Sequence, residues 1–279
     1  MVANRLYVQQ GFQLKPSFQE VAAVKLFSGA ESVDFTKANI TAEMINKFVK
    51  EKTNERIKEI VKPDMFVDHH YRAVLINAIS MKGTWVKPFP VIRKRNFYIN
   101  ETAFVERDFM MVSQYFWSIR MNELDARAIR LDYAKSNFSF VLILPNNRIG
   151  LHALESQLTN YTLSQIMDRM IYFKCIIHMP KFKIESSISL KEILKKMSMV
   201  SMFDRTANLS GLSDSEEPLY VDDIIHKTTI EIDEKHSETG RSIRTLEAAF
   251  SFEVYHPFIY HIWDRATNTT IFSGHIKNF

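Results

Sequence analysis

A long polar segment between two apolar strands most constrains what this chain can fold into. Thr228 to Ile232 alternates like a half-buried strand and is rich in β-branched residues, and Phe258 to Trp263 is a second apolar strand. Residues 234–252, between them, hold arginines, serines and threonines with little apolar period. Most connections between strands are short, so a loop of this length is usually either functional or disordered. The residues alone leave both alternatives open.

The rest of the chain predicts an α+β fold. Near-continuous apolar runs at Ala73–Met81 and Phe138–Leu144 predict strands that are covered on both faces. Apolar residues three and four apart predict a long helix over residues 41–61, for which Thr41 can serve as the N-cap. There is no internal repeat and no low-complexity linker, so we expect a single domain over residues 1–279.

Two Ser-x-x-Glu patterns predict further helix starts, at Ser17-Phe18-Gln19-Glu20 and Ser189-Leu190-Lys191-Glu192. In such a capping box the Ser hydroxyl accepts from the third helical amide, and the Glu side chain reaches back to the Ser amide. We therefore expect Ser17 and Ser189 to begin helices.

The composition disfavours several classes of partner. The 279 residues are 46% apolar and 24% charged, which is ordinary for a globular protein. The net charge of +4 is spread along the chain and implies no nucleic-acid partner, and its densest cluster, Arg93–Arg95, is expected in a solvated turn. No segment is long enough for a transmembrane helix, so we expect no membrane partner. The single cysteine, Cys175, predicts an inert buried thiol.

The chain carries no motif of enzymatic chemistry. It lacks a Gly-x-Ser-x-Gly elbow and a glycine-rich phosphate loop. Asp68-His69-His70 has the residue types of a metal site, but adjacent His side chains diverge in a strand and in a helix, which favours an ordinary turn. We therefore expect no catalytic site, no metal and no cofactor.

Several segments resemble the serpin family of serine protease inhibitors. They are Ile225–Lys235, His256–Ile259, Asn77–Trp85 with Phe89, Met179–Phe182 and Asn208–Ser213. The first two resemble the flanks of the family's reactive-centre loop, and the third resembles its central-strand signature. The likeness runs along essentially the whole chain, from Ala3–Tyr7 to Phe272–Gly274.

This resemblance implies a serpin fold, with a large mixed main sheet, smaller sheets, surface helices and an exposed reactive-centre loop at about residues 235–252. The short loop, the low cysteine count and the Asn, Ile, Lys and Met usage resemble poxviral serpins, which implies a viral protein that modulates host defence. The chain starts at the strand that Leu6–Val8 matches. The helices that precede this strand in the family are therefore expected to be missing, either through truncation of the gene product or because the sequence is a fragment.

The signals for cellular location conflict. Residues Met1–Arg5 lack the pattern of a signal peptide, which favours the host cytoplasm. The family and six Asn-x-Ser/Thr sequons favour an extracellular glycoprotein. The sequon asparagines are Asn39, Asn100, Asn137, Asn160, Asn208 and Asn268. Because Asn137 is expected inside a buried strand, we expect that not all six are used.

The resemblance also assigns residues to the place where the main sheet of a serpin opens. This sheet-opening cluster comprises Asn77, Trp85, Lys181, His226 and Glu234. Within it, Glu234 is expected to pair with Lys181, and His226 is expected to bond to Asn77 or to neighbouring backbone. The hinge at the start of the loop comprises Lys235, His236, Ser237, Glu238, Thr239, Gly240 and Arg241.

Two ways of counting locate the bond that a protease would cut. Family spacing counted back from the strand after the loop indicates Leu246, and counted forward from the strand before it indicates Phe250, so the bond is expected within residues 241–250. Inside this window, Arg244–Thr245 suits a trypsin-like protease with an acidic specificity pocket. Leu246–Glu247 is the alternative, for a chymotrypsin-like protease. The implied partner of a monomeric protein is a host serine protease, or alternatively a cysteine protease.

The hinge residues argue against an efficient protease trap. Inhibitory serpins have small residues here, because alternate side chains enter the main sheet after cleavage. Side chains two residues apart lie on the same face of a strand, so Arg241 lies on the same face as Ser237. If Ser237 faces the core, so does Arg241, and burial of its unpaired guanidinium would cost on the order of several kcal/mol. A shift by one residue buries Glu238 instead, and His236 stands where the family has a hinge glycine. Two functions stay open: a protease inhibitor, and a non-inhibitory interaction protein on the same scaffold.

Overall fold

The computed structural model of the chain describes residues 1–67, 70–234 and 250–279. Contacts group these residues into two units, Met1–Lys82 with Lys183–Glu231, and Gly83–Phe182 with Ile232–Phe279. Each unit is built around one β-sheet. The single domain over residues 1–279 stays a prediction.

The strands and helices are numbered in chain order. The strands are β1 (Val2–Gln9), β2 (Gly29–Val33), β3 (Ala73–Lys82), β4 (Val91–Tyr98), β5 (Phe104–Met121), β6 (Ala126–Asp132), β7 (Phe138–Pro145), β8 (Ile171–Pro180), β9 (Phe182–Ser189), β10 (Asp223–Ile232), β11 (Phe250–Glu253), β12 (Phe258–Asp264) and β13 (Thr269–Ile276). The α-helices are α1 (Pro16–Lys25), α2 (Ala38–Lys52), α3 (Leu151–Leu158), α4 (Leu163–Asp168) and α5 (Lys191–Lys196). Short 3-10 turns lie at Pro63–Phe66, Asn122–Leu124 and Ser201–Phe203.

The first unit contains a five-stranded sheet in the order β2-β1-β3-β10-β9. Strand β1 is antiparallel to β3, whereas β10 pairs with β3 in parallel. Helix α2 covers one face of this sheet, where its Ile45 and Val49 join Tyr7 and Ile76 in a hydrophobic core. Strand β3 is therefore enclosed in the middle of the sheet, which confirms the strand predicted from the apolar run at residues 73–81.

The second unit contains the other sheet, in the order β11-β8-β5-β6-β7-β12-β13, with β4 also paired to β5. Strand β11 runs parallel to β8, and the remaining neighbours are antiparallel. Every residue of β7 from Ser139 to Pro145 is buried, which confirms the second predicted strand. Helices α3 and α4 contribute Leu151, Leu154 and Ile166 to the core on this sheet. The two sheets with few helices are the α+β fold that the sequence predicts.

The long helix predicted over residues 41–61 is wrong in its bounds. Helix α2 spans Ala38–Lys52, and the chain then reverses through left-handed backbone at Asn54 and Glu55. Residues 57–61 are not helical, but Ile57, Ile60 and Val61 are still buried in the core that includes α2. The Asn46 side chain accepts from the amides of Ile60 and Val61 at 2.8 and 3.2 Å. The buried residues after the helix are therefore spaced three and four apart, as they would be in a helix, although this segment is not helical.

The three predicted helix caps are also wrong. Thr41 lies inside α2, where its hydroxyl donates to a backbone carbonyl at 2.9 Å. Helix α1 begins at Pro16, whose fixed φ suits the first helical position, so Ser17 is already inside the helix. The hydroxyl of Ser189 donates to Asp223 Oδ1 at 2.6 Å, so the neighbouring strand engages it instead of α5.

Two predictions about the surface are corrected. Arg93–Arg95 lies in strand β4 and not in a turn, because β5 pairs with it and offers acidic neighbours; Lys94 Nζ lies 3.1 Å from Glu106 Oε1. Asn137 is exposed in the turn before β7 and not inside the buried strand, and the other five sequon asparagines are exposed as well.

Cys175 is buried in β8, where burial raises the pKa of its thiol, in agreement with an unreactive cysteine. No helix in the part of the chain that the structure describes is long and apolar enough to cross a membrane. Nor does any group of three His, Cys, Asp or Glu side chains within residues 1–67, 70–234 and 250–279 come together to hold a metal. Of Asp68-His69-His70, only His70 lies inside these ranges.

Two histidines of the second unit, the buried His256 and the half-buried His261, have no acidic partner among the residues that the structure describes. Burial lowers the pKa of His261 to about 4 from its ordinary value of 6.5. Burial also lowers the pKa of His256 to about 4, and the nearby Arg127 and Arg148 act in the same direction. Within the described residues, Nε2 of His256 has no hydrogen-bond partner. Both rings are therefore neutral in the folded protein near neutral pH.

We expect the protein to lose stability in acid through these two rings. Between about pH 6.5 and pH 4 the unfolded chain takes up protons that the folded chain cannot, so the free energy of unfolding falls as the pH drops. Each ring contributes on the order of 3 kcal/mol once the pH is below the folded pKa. Urea unfolding at a series of pH values measures this slope. His261→Gln should flatten it, whereas the same change at the exposed His152 should leave it unaltered.

Candidate functional site

A row of polar side chains crosses three strands of the first sheet. Asn4 of β1, Asn77 of β3 and His226 of β10 stand directly opposite one another in the strand register. The Asn77 amide nitrogen donates to Asn4 Oδ1, and Asn77 Oδ1 bonds to His226 Nδ1. Because an amide oxygen only accepts, His226 Nδ1 carries the hydrogen in this bond. The expected bond between His226 and Asn77 is therefore present.

The row lies on a closed seam between β3 and β10. The two strands pair directly over the register from Asp223 opposite Val74 to Glu231 opposite Lys82. At that last pair, the Lys82 ammonium forms a salt bridge with the Glu231 carboxylate. Burial lowers the pKa of His226 from its ordinary value, so the ring beside this seam is neutral near neutral pH.

Trp85 holds the backbone that follows β10. Its indole nitrogen donates to the carbonyl of Asp233 at 2.7 Å. The indole stacks on Tyr133 with ring centroids 4.6 Å apart, and it meets the edge of Phe89 at 5.9 Å. This aromatic packing fixes the direction of the indole N–H, so Trp85 acts as a rigid clamp on the chain just before residues 235–249.

Lys181 holds the next residue, Glu234. Its Nζ lies 2.7 Å from Glu234 Oε2, and both side chains are at most one-third exposed. Burial alone would raise the pKa of Glu234, but the hydrogen bond and charge of Lys181, together with a backbone hydrogen bond, outweigh burial and keep that pKa below its ordinary value. The expected pair is present. Trp85 thus holds Asp233, and Lys181 holds the next residue, Glu234.

The far flank of the loop is held by a strand. Phe250–Glu253 forms β11 and pairs in parallel with Cys175–His178 of β8. The guanidinium of Arg120 lies 4.3 Å from the centre of the Phe250 ring, which fixes the first residue of the strand. The predicted end of the loop, residue 252, is therefore wrong, because Phe250 to Phe252 belong to this strand.

The structure brings the predicted cluster residues together in two groups, one in each unit. Asn77 and His226 meet on the seam, whereas Trp85, Lys181 and Glu234 hold the segment after β10. All hinge residues from Lys235 to Arg241, the bond Arg244–Thr245 and the alternative Leu246–Glu247 lie outside the described residues.

Two parts of this site have no counterpart in the predictions from the sequence. Asn4 is a polar residue in a partly buried strand, which indicates a hydrogen-bond partner, but its place in the row follows only from the register of β1 on β3. The carbonyl of Asp233 could not be predicted, because no side chain marks a backbone acceptor.

Comparison with known proteins establishes the family. Residues 1–279 match the sequence profile of the serpins, described as serine protease inhibitors, and the chain belongs to this family. Alaserpin of Manduca sexta is 36% identical over 243 residues, which are 86% of this chain and 62% of the relative. Iripin-8 of Ixodes ricinus is 33% identical over 292 residues, which are 99% of this chain and 71% of the relative.

A solved structure supports the same conclusion. The crystal structure of Serpin48 of Tenebrio molitor, described as a highly specific serpin, is 30% identical with a TM-score of 0.87. It covers 100% of this chain, which in turn spans 75% of that structure. The match to Alaserpin spans less than two thirds of that relative. The expected serpin fold is confirmed, and the family is one of protease inhibitors and not of enzymes.

We expect Gly83→Ala to loosen the Trp85 clamp. A Cβ at this position would lie 2.1 Å from Cδ1 of Tyr133, the ring on which Trp85 stacks. Displacing this ring should lower the free energy of unfolding by about 1–3 kcal/mol. Thermal unfolding and tryptophan emission measure the effect.

The matched control is Gly211→Ala, because a Cβ there meets nothing within 4 Å. Equal melting temperatures for the two variants would show that Tyr133 has room to move.

Proposed function

We propose that this chain presents residues 235–249 to a serine protease as a pseudo-substrate loop, and that the protease cuts this loop without becoming trapped. The observation that carries the proposal is that both flanks are held. Trp85 and Lys181 tie Asp233 and Glu234 before the loop, and β8 binds β11 after it. A segment fixed at both ends can be offered to a protease without the scaffold unfolding.

The proposed cleavage site is Arg244–Thr245. The range of residues predicted to contain the cleaved bond, 241–250, includes Phe250. Phe250 is paired with Cys175 in a parallel ladder, and a strand in a sheet cannot enter a protease cleft. This argues against Phe250, the position obtained by counting forward from β10, and favours a cleavage site within residues 244–247. Within them Arg244 suits a trypsin-like enzyme, and Leu246–Glu247 remains the alternative for a chymotrypsin-like enzyme.

Trapping requires the cleaved loop to insert between β3 and β10. That insertion must first break the direct pairing of these strands, the bond between Asn77 and His226 and the salt bridge between Lys82 and Glu231. One face of the inserted strand would then lie against the apolar core between the first sheet and α2.

Arg241 makes this insertion unfavourable. In one register its guanidinium enters the sheet core, and in the other register Glu238 does, at a cost on the order of several kcal/mol. Hydrolysis of the acyl-enzyme competes with insertion, and each 1.4 kcal/mol of added barrier gives about a tenfold advantage to hydrolysis. The protease is then released in active form.

The alternative is a non-inhibitory interaction protein on the serpin scaffold. The same obstacle at Arg241 favours it, because a chain that cannot trap a protease can still bind a partner reversibly. A poxviral source, a role in modulating host defence, a host protease as target, a monomeric state and the cellular location stay predictions, and the two relatives described above come from an insect and a tick.

We expect limited trypsin treatment to cut first between Arg244 and Thr245, because this bond lies in a polar segment whose two flanks are held. Mass spectrometry of the fragments locates the cut. Arg244→Ala should abolish it and leave the chymotrypsin cut after Leu246 intact, whereas Arg241→Ala should leave it in place. First cuts that all fall outside residues 241–250 would refute the assignment.

We expect the cleaved protein to melt at nearly the same temperature as the intact protein and to form no SDS-stable complex with trypsin. Arg241→Ala should raise the melting temperature after cleavage and allow some complex to form, while Arg205→Ala, at an exposed position, should do neither.

A large rise in melting temperature for the unaltered protein, together with a stable complex, would show that the loop inserts and that our interpretation of Arg241 is wrong. Reversible capture of a protease without cleavage would instead support the interaction protein.

A further inference from the structure

A small pocket with an aromatic mouth lies in the second unit. It has a volume of about 240 Å³ and is formed by the segment after β3 together with β5, β6 and β8. Its deep surface is apolar, since Trp85, Phe89, Phe116 and Leu131 are all buried. This volume is just below that of pockets for drug-sized ligands, so it suits a molecule of one or two fused rings.

Three large aromatic side chains surround the opening and are exposed. Tyr115 is 50%, Trp117 39% and Tyr172 51% exposed. They stand on one face of the sheet, because Tyr115 and Trp117 are two residues apart on β5 and Tyr172 lies opposite Trp117 on β8. The Tyr172 ring is 5.8 Å from that of Tyr115 and 5.4 Å from that of Trp117. Exposed aromatic side chains grouped in this way mark a binding surface.

Lys87 gives the pocket a positive charge with an unused donor. Its Nζ lies 4.9 Å from the ring centres of both Phe116 and Tyr172. It donates to the carbonyl of Tyr115 and, at 2.7 Å, to the hydroxyl of Tyr172, and neither of these acceptors is charged. An ammonium group has three N–H donors, so among residues 1–67, 70–234 and 250–279 one donor and the full positive charge remain for a ligand.

A second cation strengthens the positive field. The Arg130 guanidinium lies 5.3 Å from the Trp117 ring, and its Nε is 3.1 Å from Asp132 Oδ1. The same carboxylate oxygen lies 2.6 Å from Arg265 Nη1, so one negative charge is shared between two guanidiniums. The charged residues that line the pocket are therefore two cations, Lys87 and Arg130, and one carboxylate, Asp132, which Arg265 also neutralises from outside the lining.

We propose that this pocket binds a small planar aromatic carboxylate. The ring system would occupy the apolar space between Trp85 and Trp117, and the carboxylate would accept the free hydrogen bond of Lys87. The pocket shares Trp85 with the clamp before residues 235–249, but ligand binding requires no cleavage of that loop, so the failure of either proposal leaves the other standing.

The test is to titrate the purified protein with 2-naphthoate and with its neutral isostere 2-naphthamide, using isothermal titration calorimetry. We expect the acid to bind about tenfold more tightly than the amide, because only the acid pairs with the ammonium. Lys87→Met keeps the packing of the side chain and should remove this difference. Trp117→Ala should weaken both compounds.

The control is Lys94→Met, which removes an exposed cation of the same unit outside the pocket and should change neither affinity. Circular dichroism confirms that each variant is folded. Equal affinity of acid and amide, or unchanged preference in Lys87→Met, would overturn the proposal. Binding of an acidic peptide without any saturable binding of 2-naphthoate would also overturn it, in favour of a protein contact at the exposed aromatic side chains.

Discussion

The direct pairing of β3 with β10 is the contact on which the first unit depends. It joins residues far apart in the chain, since Asn77 and His226 are 149 positions apart. Bringing such distant segments together costs entropy before any contact is gained, so pairings of this kind form slowly. The core against α2 needs β3 fixed in mid-sheet, with β1 on one side and β10 on the other. The polar groups that cross the seam therefore matter for register as well as for stability, because they bond only when the strands are aligned.

The sequence predicts the buried strands well for a physical reason. Strand β3 packs against hydrophobic clusters on both of its faces, and β7 is buried from Ser139 to Pro145, so the residues of both strands form near-continuous apolar runs. It predicts helix bounds badly because burial alone also produces spaced apolar residues. Ile57, Ile60 and Val61 are buried after α2 has ended, and the Asn46 side chain bonds to the last two of them. No local pattern distinguishes this arrangement from another helical turn.

The candidate site was predictable only where a resemblance supplied long-range pairing. The residues themselves do not show that Lys181 meets Glu234, or that Asn77 meets His226, because register between distant strands is not written in local sequence. The same reason explains why the partner of Asn4 could not be predicted, although a polar side chain in a partly buried strand indicates that it has one. The pocket next to Trp85 also needed the structure, since its walls come from four separate segments.

The direction of the hydrogen bonds in the polar row determines how His226 responds to acid. Asn77 turns its amide oxygen toward the ring because its amide nitrogen is already engaged by Asn4. The hydrogen on Nδ1 is therefore present whether the ring is neutral or charged, and Nε2 is the atom that gains a proton. Protonation adds charge beside the seam but leaves intact the donor that spans it. The link between the three strands thus tolerates a change in the charge of His226. His256 differs, because a proton added to its buried Nε2 would have no hydrogen-bond acceptor among the described residues.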